Sequence, residues 1–251
     1  MGLADLHIHS IYSWDGTSSV SAILKYTADQ TDLDIIAITD HDEIKGAWEA
    51  IQLAPAYGIQ VIPGSEISTS DGHLLALFIN EKIPAGLPLL ETILRVGDIG
   101  GLCVAAHPMA RGAKSLSAES IHQAAKEPSV RGIFVGIEVF NSGLFHRSTN
   151  IAAHALAETL PLAHLGNSDS HMLQTIGQAA TEFHGSTPAD LRLALVKAST
   201  RVRVQQLSNG WSVVRKWLPR YLLRTAGWVA WNQDPDSPLQ MSRIARTGFS
   251  S

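Results

Sequence analysis

The sequence predicts an α/β fold built on a mostly parallel sheet or barrel. Apolar runs of strand length alternate with helical patterns through the first 200 residues, which is the signature of repeated βα units. The residues able to bind metal or do acid–base chemistry fall at the ends of those runs. With 251 residues, 45% of them hydrophobic, the chain is long enough for one large α/β barrel or two small domains.

Strand-like runs lie near 3–8, 34–39, 59–62, 73–79, 102–106, 133–139 and 162–166, with helical patterns near 19–30, 45–57, 87–98, 117–126, 148–159 and 188–198. The first strand ends in Asp5-Leu6-His7-Ile8-His9-Ser10. Residues i and i+2 of a strand share a face, so His7 and His9 present two imidazoles side by side, an arrangement suited to a first-row divalent metal. Alone, the pair could equally be two partly exposed histidines at a strand end. Trp14-Asp15-Gly16 follows. Strand two ends in Thr39-Asp40-His41-Asp42, with Asp42 a candidate N-cap for the next helix. Strand three ends in Pro63-Gly64-Ser65-Glu66, strand five in Ala106-His107-Pro108, strand six in Glu138-Val139-Phe140-Asn141, and strand seven in Asn167-Ser168-Asp169-Ser170-His171. In a barrel the C-terminal strand ends gather on one face, where the chemistry is placed. His73 begins its strand instead. It joins the same face if strand four runs antiparallel to strand three, with Asp71-Gly72 turning the loop between them. A mixed barrel is therefore expected.

This set holds six imidazoles (His7, His9, His41, His73, His107, His171) with Asp15, Glu66 and Asp169. It is too many ligands for one ion, so two or three divalent ions are expected, with a carboxylate bridging a pair. Nitrogen and oxygen ligands without thiolate favour Zn, Mn or Fe. Two such ions can bind a phosphate, activate a water and stabilise the leaving oxygen. Asp40 and Asp42 flank His41, and one of them could fix its ring from behind. Asp40 and Arg111 are the catalytic candidates, Arg111 as the clamp on a phosphate oxygen, with Lys114 a weaker choice. Glu138 and Asn141 are expected to face the bowl, either supporting the metal ligands or contacting substrate. His122, His154 and His184 read as structural, His164 as a barrel-wall residue, and His146 as a loop residue within reach of substrate. Cys103 sits in an apolar run and reads as a buried structural thiol; a single cysteine fits a reducing cytoplasm.

Net charge is −4, unevenly spread. From Leu191 to Gln233 there are eight bases and no acid, whereas the preceding residues hold 21 acids against 9 bases. No apolar run approaches bilayer length, and no signal peptide is expected, since the first strand with its polar residues starts almost at Met1. The stretch from Trp211 to Trp231 is aromatic, aliphatic and basic. It reads as a helix packing on the barrel, as a peripheral membrane-surface helix, or as a patch for nucleic acid or another phosphate-rich substrate. Pro219 and Gly227 are expected to break any long helix, and the end beyond Asn232 to be flexible.

Taken together, Asp5-Leu6-His7-Ile8-His9-Ser10, Thr39-Asp40-His41-Asp42, Pro63-Gly64-Ser65-Glu66, Ala106-His107-Pro108 and Ser168-Asp169-Ser170-His171 resemble the successive motifs of the PHP (polymerase and histidinol phosphatase) family, from about residue 3 to 200. The resemblance implies a distorted (β/α)7, TIM-like barrel over 1–200 with a C-terminal helical extension over 201–251. It also implies a di- or trinuclear metal centre. One ion would be held by His7, His9, Glu66 and Asp169, a second by Glu66, His73 and His107, and a third by Asp15, His41 and His171. Family members are mostly phosphoesterases, so hydrolysis of a phosphate mono- or diester is expected. Nucleotides, histidinol-phosphate-like compounds and short oligonucleotides are the candidate substrates. The family's nucleotide phosphatases carry a helical insertion between the positions matching His73 and His107. Here about thirty residues intervene, which implies a more open site. The alternatives are metal-dependent C–N hydrolysis, for which no bridging lysine stands at a strand end, and a non-catalytic PHP module, in which ligands are often lost.

Overall fold

The computed structural model of the protein describes residues 1–110, 114–143, 149–205, 207 and 209–226, with strand backbone at 228–230 and 241–243. β1 (Gly2–Ile8), β2 (Ile35–Ile38), β3 (Gln60–Ser68), β4 (His73–Leu77), β5 (Leu102–Ala105), β6 (Phe134–Asn141) and β7 (Ala163–Asn167) lie side by side in chain order. β1 to β3 are parallel, as are β5 to β7, and β4 runs antiparallel to both its neighbours. The mixed barrel expected from His73 is therefore present. The ends of the sheet meet where His9 N donates to Ser170 O at 2.8 Å and Ser170 N to His7 O at 3.2 Å, giving a nearly closed barrel. Two strands the apolar pattern did not reveal extend it: β8 (Ala179–Phe183), antiparallel to β1, and β9 (Arg201–Val204), antiparallel to β8. β9 alternates Arg and Val, and its residues are largely exposed, so it lacked an apolar run to betray it.

The helices α1 (Val20–Gln30), α2 (Lys45–Leu53), α3 (Leu89–Asp98), α4 (Ala118–Lys126), α5 (Asn150–Ala157) and α6 (Pro188–Val196) connect the strands. Neighbouring strand residues alternate between two apolar clusters, as a period of two requires. Ile36, Leu74 and Cys103 pack with Ile23 and Leu24 of α1, Ile93 of α3 and Ile121 of α4. Ile35, Leu75 and Val104 pack instead with Leu6, Leu165 and the α6 residues Leu191 and Leu195. Ser19 and Ser117 cap α1 and α4, each accepting a backbone N–H in the first turn.

Two local expectations are corrected. Asp42 does not cap α2, which starts after Ile44; its backbone turns left-handed (φ 51°) and its carboxylate accepts Ser68 N at 2.7 Å, tying the β2 exit to β3. Pro219 does not break the C-terminal helix: α7 (Gly210–Thr225) runs through it with the ring on the exposed side, at the cost of one N–H donor. A short antiparallel pair joins β10 (Trp228–Ala230) and β11 (Met241–Arg243), while Gly227 and most of the stretch beyond Asn232 lie outside the described residues.

Candidate metal centre

The nine predicted ligands converge at one end of the barrel. β1 delivers His7, its exit His9, the loop after it Asp15, and the β2 exit His41. Glu66 comes from β3 and His73 from the start of β4. His107 follows β5, and Asp169 and His171 follow β7. Around a first point stand His7 Nε2, His9 Nε2, Glu66 Oε2 and Asp169 Oδ1. Each imidazole nitrogen lies 3.2–3.4 Å from each carboxylate oxygen. Four ligands about 2.0–2.2 Å from a zinc-like ion would be separated by about 3.3–3.6 Å, so the spacing is that of a coordination shell. Around a second point, Glu66 Oε1 lies 2.9 Å from both His73 Nδ1 and His107 Nε2. Around a third, Asp15 Oδ2 lies 2.9 Å from His171 Nε2 and 3.4 Å from His41 Nε2. His9 is within reach of this third group too.

The donors fit metal for a further reason. Among the described residues, His9 Nε2, Asp15 Oδ1 and His73 Nδ1 are buried without a partner in hydrogen-bonding geometry, even though carboxylate oxygens stand close to both ring nitrogens, an expensive state for polar atoms unless something else satisfies them. The opposite nitrogens of several rings are held from behind. His7 Nδ1 meets Glu138 Oε1 at 2.9 Å, His9 Nδ1 meets Ser13 Oγ at 3.0 Å, and His107 Nδ1 meets Ser115 Oγ at 3.0 Å. His171 Nδ1 donates to Asp169 O at 2.9 Å. Such partners fix which nitrogen faces a metal. His107 (φ 26°) and Asp169 (φ 51°) both occupy left-handed backbone, a strained placement that aims their side chains inward.

Burial disfavours charge throughout the site, and neighbours decide the outcome. Burial opposes ionisation of Glu66, yet His41, His7 and His73 hold it well below the usual carboxylate range; His171, His41 and His9 do the same for Asp15. Burial, helped by His171 and His41, pushes His9 down to about 4, which leaves it a neutral ligand. Against burial, the carboxylates raise His7 well above its ordinary value and His41 and His171 to about 9. Buried anions thus draw positive charge to this point, as protons or as metal ions.

The remaining candidates surround this centre in several roles. Glu138 and Asn141 are buried beneath the ligands, in the supporting role that was one of the two expected of them. Glu138 accepts from His107 N (2.7 Å), Asn167 Nδ2 (2.7 Å) and Asn141 Nδ2 (3.0 Å) as well as holding His7. Asn141 Nδ2 also reaches Asp169 Oδ2 at 3.2 Å. Both carboxylate oxygens of Asp40 are taken by Ser10, N at 2.6 Å and Oγ at 2.7 Å, so Asp40 joins the β1 and β2 exits and neither Asp40 nor Asp42 bonds the His41 ring. Arg111 and His146 lie outside the described residues. Lys114 is exposed, and its carbonyl accepts His73 N at 2.9 Å. His122, His154 and His184 lie on outer helices and a surface loop, and His164 is half-buried on β7. Cys103 is fully buried, and burial pushes its thiol up.

Several supports escaped the sequence reading. Asp5 accepts Ser168 N (3.0 Å) and Gly177 N (2.9 Å), and Asn167 Oδ1 accepts Leu6 N (2.9 Å), so β1 and the β7 exit are fastened beneath the ligands. Both residues stand inside the motifs and could have been found there. Ser13 and Ser115 carry no comparable signal.

The PHP domain family matches residues 5–139, and a PHP-associated family matches residues 147–200. The chain belongs to the PHP domain family. An uncharacterized protein of Methanocaldococcus jannaschii is 37% identical over 171 residues, covering 63% of this chain and 93% of that protein. The phosphoribosyl 1,2-cyclic phosphate 1,2-diphosphodiesterase of Eggerthella lenta is 35% identical over 89 residues, 33% of each chain. A two-domain protein from Bacteroides vulgatus, described as containing a predicted PHP-like metal-dependent phosphoesterase, superposes with a TM-score of 0.64 at 20% identity, over 87% of this chain and 69% of that one. The barrel is thus the PHP fold, and its His, Asp and Glu clusters suit divalent metals.

Proposed function

We propose that this PHP protein hydrolyses phosphate esters with the help of two or three divalent ions, Mn, Zn or Fe. The observation that carries the reading is the sharing of Glu66: one oxygen belongs to the His7–His9–Asp169 group and the other to the His73–His107 group. Divalent ions bound there would supply Lewis-acid stabilisation of the phosphoryl oxygens and lower the pKa of a water. The chain's own residues do the positioning. Glu138, Ser13 and Ser115 hold the rings of His7, His9 and His107, and Asn141 steers Asp169. Asp40 acts as a positioning residue through Ser10. Arg111 is the proposed clamp on a phosphate oxygen.

A polar cleft lined by Asp42, Ser68, Ser70, Asp71, Lys114 and Ser115 adjoins the His73 side of the centre. One helix, α3, fills the interval between β4 and β5, consistent with an uncovered site. A small phosphorylated compound or a nucleic-acid end is the proposed substrate, and the similarity to a cyclic phosphate diesterase brings diesters into the set. The test is phosphate release, with and without Mn²⁺, from p-nitrophenyl phosphate, histidinol phosphate, nucleoside bisphosphates, a ribose cyclic phosphate and short RNA. A phosphatase added after the reaction reveals products of diester cleavage. Release that requires Mn²⁺ and is lost in His7→Ala supports the proposal. Silence across the panel from protein of proven metal content overturns it in favour of C–N hydrolysis or a binding role.

A further inference from the structure

Helix α7 lies beyond both family matches, yet it returns to the loop that carries Asp15. Trp217 Nε1 donates to Asp15 O at 3.3 Å. The Arg224 guanidinium spans the same loop, donating to Gly16 O and, at 2.6 Å, to Ile11 O. These three carbonyls have no other donor among the described residues. Tyr221 completes the contact: its ring stacks on Trp217 (4.6 Å) and meets the edge of Trp14, whose ring in turn lies 5.8 Å from that of His41 at 20°. Two members of the third group, Asp15 and His41, are thus touched by one helix or by a residue packed on it. The neck of the loop has its own ties: Ile11 N donates to Ser18 O (2.9 Å), and Thr17 N and Oγ1 donate to His171 O. Tyr12 and Ser13 are tied as well, Ser13 N to Ser10 O (3.0 Å), Tyr12 Oη to Glu49 (2.8 Å) and His41 N to Ser13 Oγ (2.9 Å), whereas the backbone carbonyls of Asp15 and Gly16 are met by α7. Gly16 cannot be replaced to stiffen the loop, because a Cβ there would fall 2.0 Å from Ser10 O.

We infer that α7 is a strap that sets the position of Asp15, with Trp217 and Arg224 as positioning residues for the third metal position. The inference rests on the metal-centre reading but not on the reaction assigned to it. The first two groups take no ligand from this loop except through His9, which Ser13 holds locally. Loosening the strap should therefore act on one metal position out of three.

The experiment is a metal titration of the full-length protein by calorimetry and elemental analysis, using Zn²⁺ and Mn²⁺, for wild type, Arg224→Ala, Arg224→Lys, Trp217→Phe and Arg215→Ala. In Arg224→Ala one equivalent should weaken about tenfold or more, as loss of a ligand's supporting partner does elsewhere. The other equivalents should stay unchanged. Arg224→Lys should recover part of the loss, and Arg215→Ala, on the exposed side of α7, should match wild type. Trp217→Phe keeps the stack on Tyr221 and removes only the N–H donor, so it carries the test if Arg224→Ala fails to fold. Variants that bind every equivalent as wild type does would overturn the strap alone, as would folded variants that lose all equivalents equally. A wild-type protein that binds no metal would overturn the metal centre as well.

Discussion

At the scale of single residues, the convergence of the nine candidate ligands was legible because they sit at strand ends or in the loops beside them within short motifs, and a strand end is a place the sequence can mark. Their supports were less legible because a serine or an arginine becomes a partner only through the fold: Ser115 reaches His107 across eight residues and Arg224 reaches Gly16 across 208. Glu138 shows the difference in role. Its place at the end of a strand allowed either a substrate contact or a supporting role, and only the fold shows it holding His7, His107 and Asn167. Glu138→Gln keeps the volume but removes the charge that orients His7, and metal affinity should fall about 10- to 100-fold while the far-UV spectrum is unchanged. Calorimetric titration reads this directly. Because histidine binds metal only when neutral, binding should release protons and weaken as pH falls through the imidazole range. Repeating the titration in buffers of different ionisation enthalpy measures the protons released; none released between pH 6 and 8 would argue against histidine ligation.

At the scale of elements, the seven strands and six helices were legible from alternating apolar runs, while β8 and β9 were not. β9 hides its role in an Arg-Val-Arg-Val alternation that looks like surface, because β8 covers only its edge. The start of α2 was misplaced for a related reason. An aspartate after a strand resembles a cap, but Asp42 is drawn to Ser68 and the helix opens later, at a point that lets Gly46 pass close under Asp40. A Cβ on Gly46 would lie 2.0 Å from Asp40 Oδ2 and 2.8 Å from Ser10 Oγ. Gly46→Ala should therefore cost about 2 kcal/mol in chemical denaturation, more than overpacking at an exposed helical site would. It should also disturb the β1 exit, where Ser10 anchors the loop leading to Asp15. A stability equal to or above wild type would mean that Asp40 can move away at no cost, contrary to the role assigned to it.

At the scale of the whole molecule, the chain is a PHP barrel whose acidic body concentrates buried carboxylates at one end and whose basic C-terminal helix folds back across the rim. Divalent ions binding the native state but not the unfolded chain should stabilise it, by about 2.7 kcal/mol at a hundredfold excess over Kd, so chelation should lower the Tm and Mn²⁺ or Zn²⁺ restore it. Cys103, buried in the core with its thiol pushed up, should resist aromatic disulfide reagents in the native protein and react only on unfolding. The central claim is that Glu66 joins two metal positions, with a third against Asp15. Anomalous diffraction from crystals grown with Zn²⁺ or Mn²⁺ tests it most directly. The predicted result is a pair of peaks about 3.5–4 Å apart on either side of the Glu66 carboxylate, with a further peak between Asp15, His41 and His171. No peak at Glu66, or signal confined to the exposed group of His154, Glu158 and His164, would contradict it.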